Sequence, residues 1–166
     1  MSATPVSRLT AAFAVFLALF VLSLPAARAD DFTGLKQARA VWDVTLGDPK
    51  AFASQVQLLS ETADMLRQRG IEPHFVIAIH GPATKFVVRA LAGTGFQKEV
   101  IPGLPKIHAL LQRISASGIP VEVCAVAMLR NDVARRNVLP FVRVEENVWE
   151  NIIALQNKGY AYMPIR

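Results

Sequence analysis

The chain has 166 residues, with 18 Lys and Arg against 13 Asp and Glu, a formal net charge of +5, and apolar side chains at 52% of positions. That length suits one domain with a real core, and the absence of any like-charge block or basic-aromatic stripe argues against nucleic acid as a partner. A single cysteine excludes a C-x-x-C redox centre and any disulfide within the chain.

Residues 1–29 read as a cleaved export signal: Arg8 supplies a positive start, residues 11–24 an apolar stretch, and Ala27-Arg28-Ala29 a small-x-small cleavage site before Asp30. The apolar stretch is fourteen residues, short of the ~20 that span a bilayer as a helix. The expectation is therefore a periplasmic protein with no membrane attachment after cleavage, residues 30–166 forming a single α/β domain. Removing Arg8 and Arg28 leaves 16 basic residues against 13 acidic ones, a mature charge near +3.

From residue 38 onward two hydrophobic periods alternate, and glycines mark the changes. Residues 38–46 suit a strand, and Asp48-Pro49 is an N-cap followed by proline at the first helical position. Phe52, Val56, Leu59, Ala63 and Leu66 then recur at helical spacing, with Gly70 at the expected C-terminus. Residues 74–80, HFVIAIH, form the near-continuous apolar run of a strand covered on both faces. Gly81-Pro82 turns the chain into a helix expected over residues 82–92, and residues 93–103, with four Gly or Pro, form a loop.

The rhythm resumes with a helix through Leu104, Ile107, Leu111 and Ile114, ending near Gly118. A buried strand is expected over residues 119–126, a helical turn over 131–138 and a short strand over 141–144. A helix through Val148, Ile152 and Leu155 ends at Gly159, and a last strand over residues 160–163 is stopped by Pro164. Strands alternating with helices predict a three-layer α/β/α domain around a mainly parallel sheet.

The stretches VIAIHGPA at 76–83, GIPVEVCAVAML at 118–129 and LQNKGYAYMPI at 155–165 resemble, in their order and spacing, the DsrE/DsrF-like family of small sulfur-relay-type proteins. The resemblance covers nearly all of residues 38–165. It implies a five-stranded parallel sheet in the order 4-3-2-1-5, a homo-oligomer that is a trimer or larger, and a cysteine that carries sulfur as a persulfide. Cys124 stands at the position matching that cysteine. The apolar Ala125-Val126-Ala127 departs from the small polar residues that often follow it in relatives.

In open parallel sheets functional groups gather at the carboxyl ends of strands, beside helix N-termini. Cys124 is near the end of the third strand and His80 ends the second, and the implied strand order makes those two strands neighbours. His80 is thus the candidate base or hydrogen-bond partner for a Cys124 thiol, with Gly81, Lys85 and Arg130 as candidate anion-binding residues. The reaction would pair the protein with a sulfur-donor or acceptor protein. The competing reading makes Cys124 a space-filling core residue and His80 a core histidine, in a non-enzymatic oligomeric binding or assembly module. Trp149, Tyr160 and Tyr162 suit subunit contacts or the core under either reading. His74 and His108 lack ligand spacing to each other, to His80 or to Cys124, so no metal is expected, and no nucleotide fingerprint calls for a cofactor.

Overall fold

The computed structural model describes residues 31–166, so the export signal expected over residues 1–29 lies outside the described residues. Leu35–Arg166 form one compact unit. Strands β1 (Gln37–Val44), β2 (Glu72–Ile79), β3 (Val121–Cys124), β4 (Arg143–Glu145) and β5 (Ala161–Ile165) make one sheet in the order β4-β3-β2-β1-β5. Every pairing is parallel. The α-helices are α1 (Pro49–Gln68), α2 (Leu104–Ala116), α3 (Ala125–Arg130) and α4 (Val148–Asn157).

The local chemistry explains most boundaries. The Asp48 side chain accepts a hydrogen bond from the Ala51 amide at 2.7 Å, capping α1 as its position before Pro49 predicts. The α1 stripe of Phe52, Val56, Leu59, Ala63 and Leu66 is buried against Ile77 and Ile79 of β2 and, with α2, seals one face of the sheet. Gly70, Gly118 and Gly159 all take positive φ just beyond a helix, which lets the chain turn directly into the next strand.

Three boundaries differ from expectation. The helix predicted over residues 82–92 is instead a 3-10 helix, Gly81–Val87. Residues 83–88 are buried without a break, so they carry no amphipathic stripe to support an α-helix. The chain then leaves the helix to make an antiparallel bridge between Val88 and Val138. The third strand stops at Cys124 rather than residue 126, because Ala, Met, Leu and Arg are strong helix formers and wind the following residues into α3. The helical turn expected over residues 131–138 shrinks to a 3-10 turn at Arg135–Asn137.

Pro164 does not stop β5 but lies within it. The Thr45 amide donates to the Ile165 carbonyl at 3.0 Å, so Ile165 turns its main-chain groups towards β1. Pro164, one residue earlier, faces the open edge, where a missing N–H breaks no ladder bond.

Candidate functional site

Strand alternation sorts the polar residues onto one face. Ala40 and Val44 of β1, Ile77 and Ile79 of β2, and Val121 and Val123 of β3 belong to the large core beneath α1 and α2. Their neighbours Asp43, His80, Glu122 and Cys124 must therefore face the other way, towards α4. Register brings two of them level: Ile79 pairs with Val123, so His80 and Cys124 each follow that pair on adjacent strands.

Cys124 is the last residue of β3 and the N-cap of α3, and no hydrogen bond engages its sulfur. It is buried, at 5% exposure, yet it lines a cavity of about 200 Å³ with His80, Gly81, Arg130, Asn131, Asn147 and Trp149. Val126 and Ala127 complete the apolar part of that wall. Gly81 takes φ +56, a conformation that L side chains rarely adopt, and it opens the turn directly after His80. Of the residues that sequence reasoning singled out, Cys124, His80, Gly81 and Arg130 thus meet around one cavity.

Lys85 does not join them. Its side chain is buried, its ammonium donates to Glu99 at 2.5 Å and stands 5.5 Å from the centre of the Phe86 ring. The 3-10 winding after Gly81 carries it away from the cavity lining, and its charge is committed to Glu99.

The structure adds residues that the sequence reading passed over. His80 Nε2 lies 2.6 Å from Asp43 Oδ1, and Asp43 is 4% exposed. The Tyr162 hydroxyl donates to Asp43 Oδ2 at 2.5 Å, Arg166 donates to the Tyr162 oxygen at 2.9 Å, and the Arg166 guanidinium is 3.8 Å from Asp43. The hydrogen bond to Asp43 is the main reason the Tyr162 phenol is raised above its ordinary 10.0, with burial adding to it. Asp43, Thr45, His80, Trp149, Tyr162 and Arg166 line a second, more open cavity of about 530 Å³. His80 and Trp149 are common to both cavities, and their rings meet edge to face at 5.9 Å.

Glu122 is buried beside them, on the same face of β3 as Cys124. Burial raises its carboxyl above the ordinary 4.5 and Glu145 adds to that, while a hydrogen bond from Asn151 and the charge of Arg143 pull it down. One signal in the sequence points at these residues: Asp43 and Glu122 are single acidic residues inside otherwise apolar strands, where a buried charge needs a partner. Among the described residues no group of three His, Cys, Asp or Glu could hold a metal ion, and no helix is long and apolar enough to cross a membrane.

A sequence model described as the DsrE/DsrF-like family matches residues 18–165. An uncharacterised protein from Aquifex aeolicus (strain VF5) is 32% identical over 127 residues, which are 76% of this chain and 55% of that protein. The chain thus spans about half the length of the curated relative it matches. The structure of a protein of unknown function, MTH1491 from Methanobacterium thermoautotrophicum, superposes with a TM-score of 0.53 at 11% identity, covering 79% of this chain and 99% of the other, a likeness of fold.

Proposed function

The chain belongs to the DsrE/DsrF-like family, and on that footing we propose that it is a sulfur-accepting protein whose Cys124 takes up a sulfane sulfur as a persulfide. One observation carries the reading. The sole cysteine ends a strand at a cavity that it shares with the imidazole of His80 and the guanidinium of Arg130. A thiolate is the attacking species in such chemistry, and an imidazole and a cation beside the sulfur are the groups that would take its proton and accommodate its charge.

The step balances with a donor of the organic persulfide or inorganic polysulfide class. The Cys124 thiolate attacks the outer sulfur of R–S–S⁻, the donor's S–S bond breaks, R–S⁻ leaves with the bonding pair, and Cys124 holds the new S–S bond. No net oxidation occurs. The 5% exposure of Cys124 and the small cavity favour a slender sulfur chain over a bulky reactant. We further propose that the protein acts in the periplasm after removal of residues 1–29, and that it is a homo-oligomer exchanging sulfur with a donor or acceptor protein. Trp149 and Ile153, 59% and 60% exposed on α4, are suited to subunit contact.

The same burial of Cys124 favours a second reading, an assembly module in which the cysteine only fills space. Intact-mass measurement after incubation with polysulfide separates the two. The expected result is a gain of one reducible sulfur atom in the native chain and none in Cys124→Ser. A native chain that gains nothing, and resists iodoacetamide until denatured, leaves only the assembly module.

A further inference from the structure

Asp43 stands outside the cysteine cavity and touches the chemistry only through His80. A carboxylate taken out of water loses hydration worth several kcal/mol, which only good partners offset. Asp43 has them from three sides: His80, Tyr162 and Arg166. The arrangement puts two claims on one nitrogen. Nε2 of His80 is 2.6 Å from Asp43 Oδ1 and 3.4 Å from the indole Nε1 of Trp149. Carboxylate and indole demand opposite roles of Nε2, which can donate to Asp43 or accept from Trp149.

Magnitude decides between them. Hydrogen bonds to an ionised partner are roughly twice as strong as neutral ones, whereas the indole contact lies beyond the usual ~2.7–3.2 Å range for an N–H donor. The proton therefore sits on Nε2, pointing at Asp43, and Trp149 meets the ring as an edge-to-face contact at 89°.

We propose that Asp43 is a positioning residue that holds His80 as its Nε2–H tautomer, leaving Nδ1 as the ring's acceptor at the cavity shared with Cys124. The consequence for the thiol rests on the sulfur-accepting reading, whereas the tautomer does not. When the Cys124 S–H gives its proton to Nδ1, the sulfur keeps the electron pair and the ring becomes an imidazolium. Its second N–H is already bonded to the Asp43 carboxylate, which balances the new charge. The charged and titratable groups facing His80 are Asp43 from β1, Tyr162 and Arg166 from β5 and the residue after it, and Arg130 from α3 across the cysteine cavity.

Nitrogen-15 NMR of histidine-labelled full-length protein tests this, with the His80 signals identified by their loss in His80→Gln. In the native chain, while the imidazole is neutral, Nε2 should give a pyrrole-type shift and Nδ1 a pyridine-type shift. Asp43→Asn, whose amide can donate to Nε2, should convert part or all of His80 to the other tautomer. The alkylation rate of Cys124, followed against pH, should then fall at least about tenfold, at the low end of what a positioned base supplies. Tyr162→Phe, which leaves the Asp43–His80 bond in place, should keep the native tautomer. A pyridine-type Nε2 in the native chain overturns the proposal even if Asp43→Asn fails to fold. So does an Asp43→Asn chain with native tautomer and native alkylation profile. A tautomer that follows Asp43, in a chain whose Cys124 takes no sulfur from polysulfide, leaves the role of Asp43 standing and sinks the sulfur-accepting reading instead.

Discussion

The two faces of the sheet are built for different ends. Beneath α1 and α2 lies a continuous apolar core in which Phe52, Leu59, Ile77, Ile79 and Leu111 are all but inaccessible and Phe52 and Phe86 stack at 4.2 Å. Beneath α3 and α4 the apolar cluster is small, reaching from Val41, Val76 and Ala78 to Val148 and Ile152, and polar residues take the remaining sheet surface. Asp43, His80, Glu122 and Cys124 are all on this second face, at or near the strand ends. The lesson is a division of labour: one face supplies stability, which frees the other to hold buried charge and open space.

That contrast can be broken most directly by truncating each core. Phe52→Ala should lose about 3–5 kcal/mol, the usual range for a fully buried aromatic. Ile152→Ala borders the larger cavity, where neighbours can relax, and should sit at the low end of the aliphatic range, about 2 kcal/mol. Urea unfolding of both variants checks the order; equal losses would mean that the second face is as much a structural core as the first.

A smaller and opposite effect is expected at Glu122. Its carboxyl is raised in the folded chain, so the folded state holds that proton more tightly than the unfolded one. The resulting stability is fully present below the ordinary 4.5 and is lost as pH rises through the raised folded value. Glu122→Gln keeps an acceptor for Asn151 and removes the titration. It should therefore raise the unfolding midpoint at pH 7 while giving no gain at pH 4. A loss at both pH values would show that the charge of Glu122, rather than its shape, is needed on this face.

The smallest effect is spectroscopic. The ultraviolet ionisation signal of Tyr162, taken as the difference between native and Tyr162→Phe proteins, should develop above pH 10.0, because its hydroxyl donates to Asp43. In Asp43→Asn that signal should move back down. An unmoved signal would sever Tyr162 from the carboxylate and leave the network with one member fewer.

Most of the fold was legible because the two hydrophobic periods and the glycines between them agree with each other, as with the α1 stripe, Gly70 and the run into β2. The 3-10 segment after Gly81 was not, since a stretch buried all round has no period to read. The strand-to-helix change at Cys124 was hidden for a related reason: Ala125 to Met128 continue the apolar run of β3, and only helix propensity marks the corner. Within the site, Cys124, His80, Gly81 and Arg130 could be placed from strand ends and chain order. Lys85 was misjudged, because its pairing with Glu99 depends on the path of a loop fourteen residues away in sequence. Asp43, Tyr162 and Arg166 come together only through the β1–β5 pairing, whose register no local pattern reveals, although a lone acid in the middle of AVWDV was a readable warning.

Pro164 has a bearing on assembly. Because it removes an outward amide from the rim of β5, a second chain laid along that rim would find a gap where it needs a donor, and a sheet running on from one copy into the next would be interrupted there. Copies that meet on this side must recognise one another by shape and chemistry of side groups, and Tyr162 and Met163, both partly exposed beside Pro164, are the ones on offer. A closed, countable assembly is compatible with such a rim, and endless stacking is not.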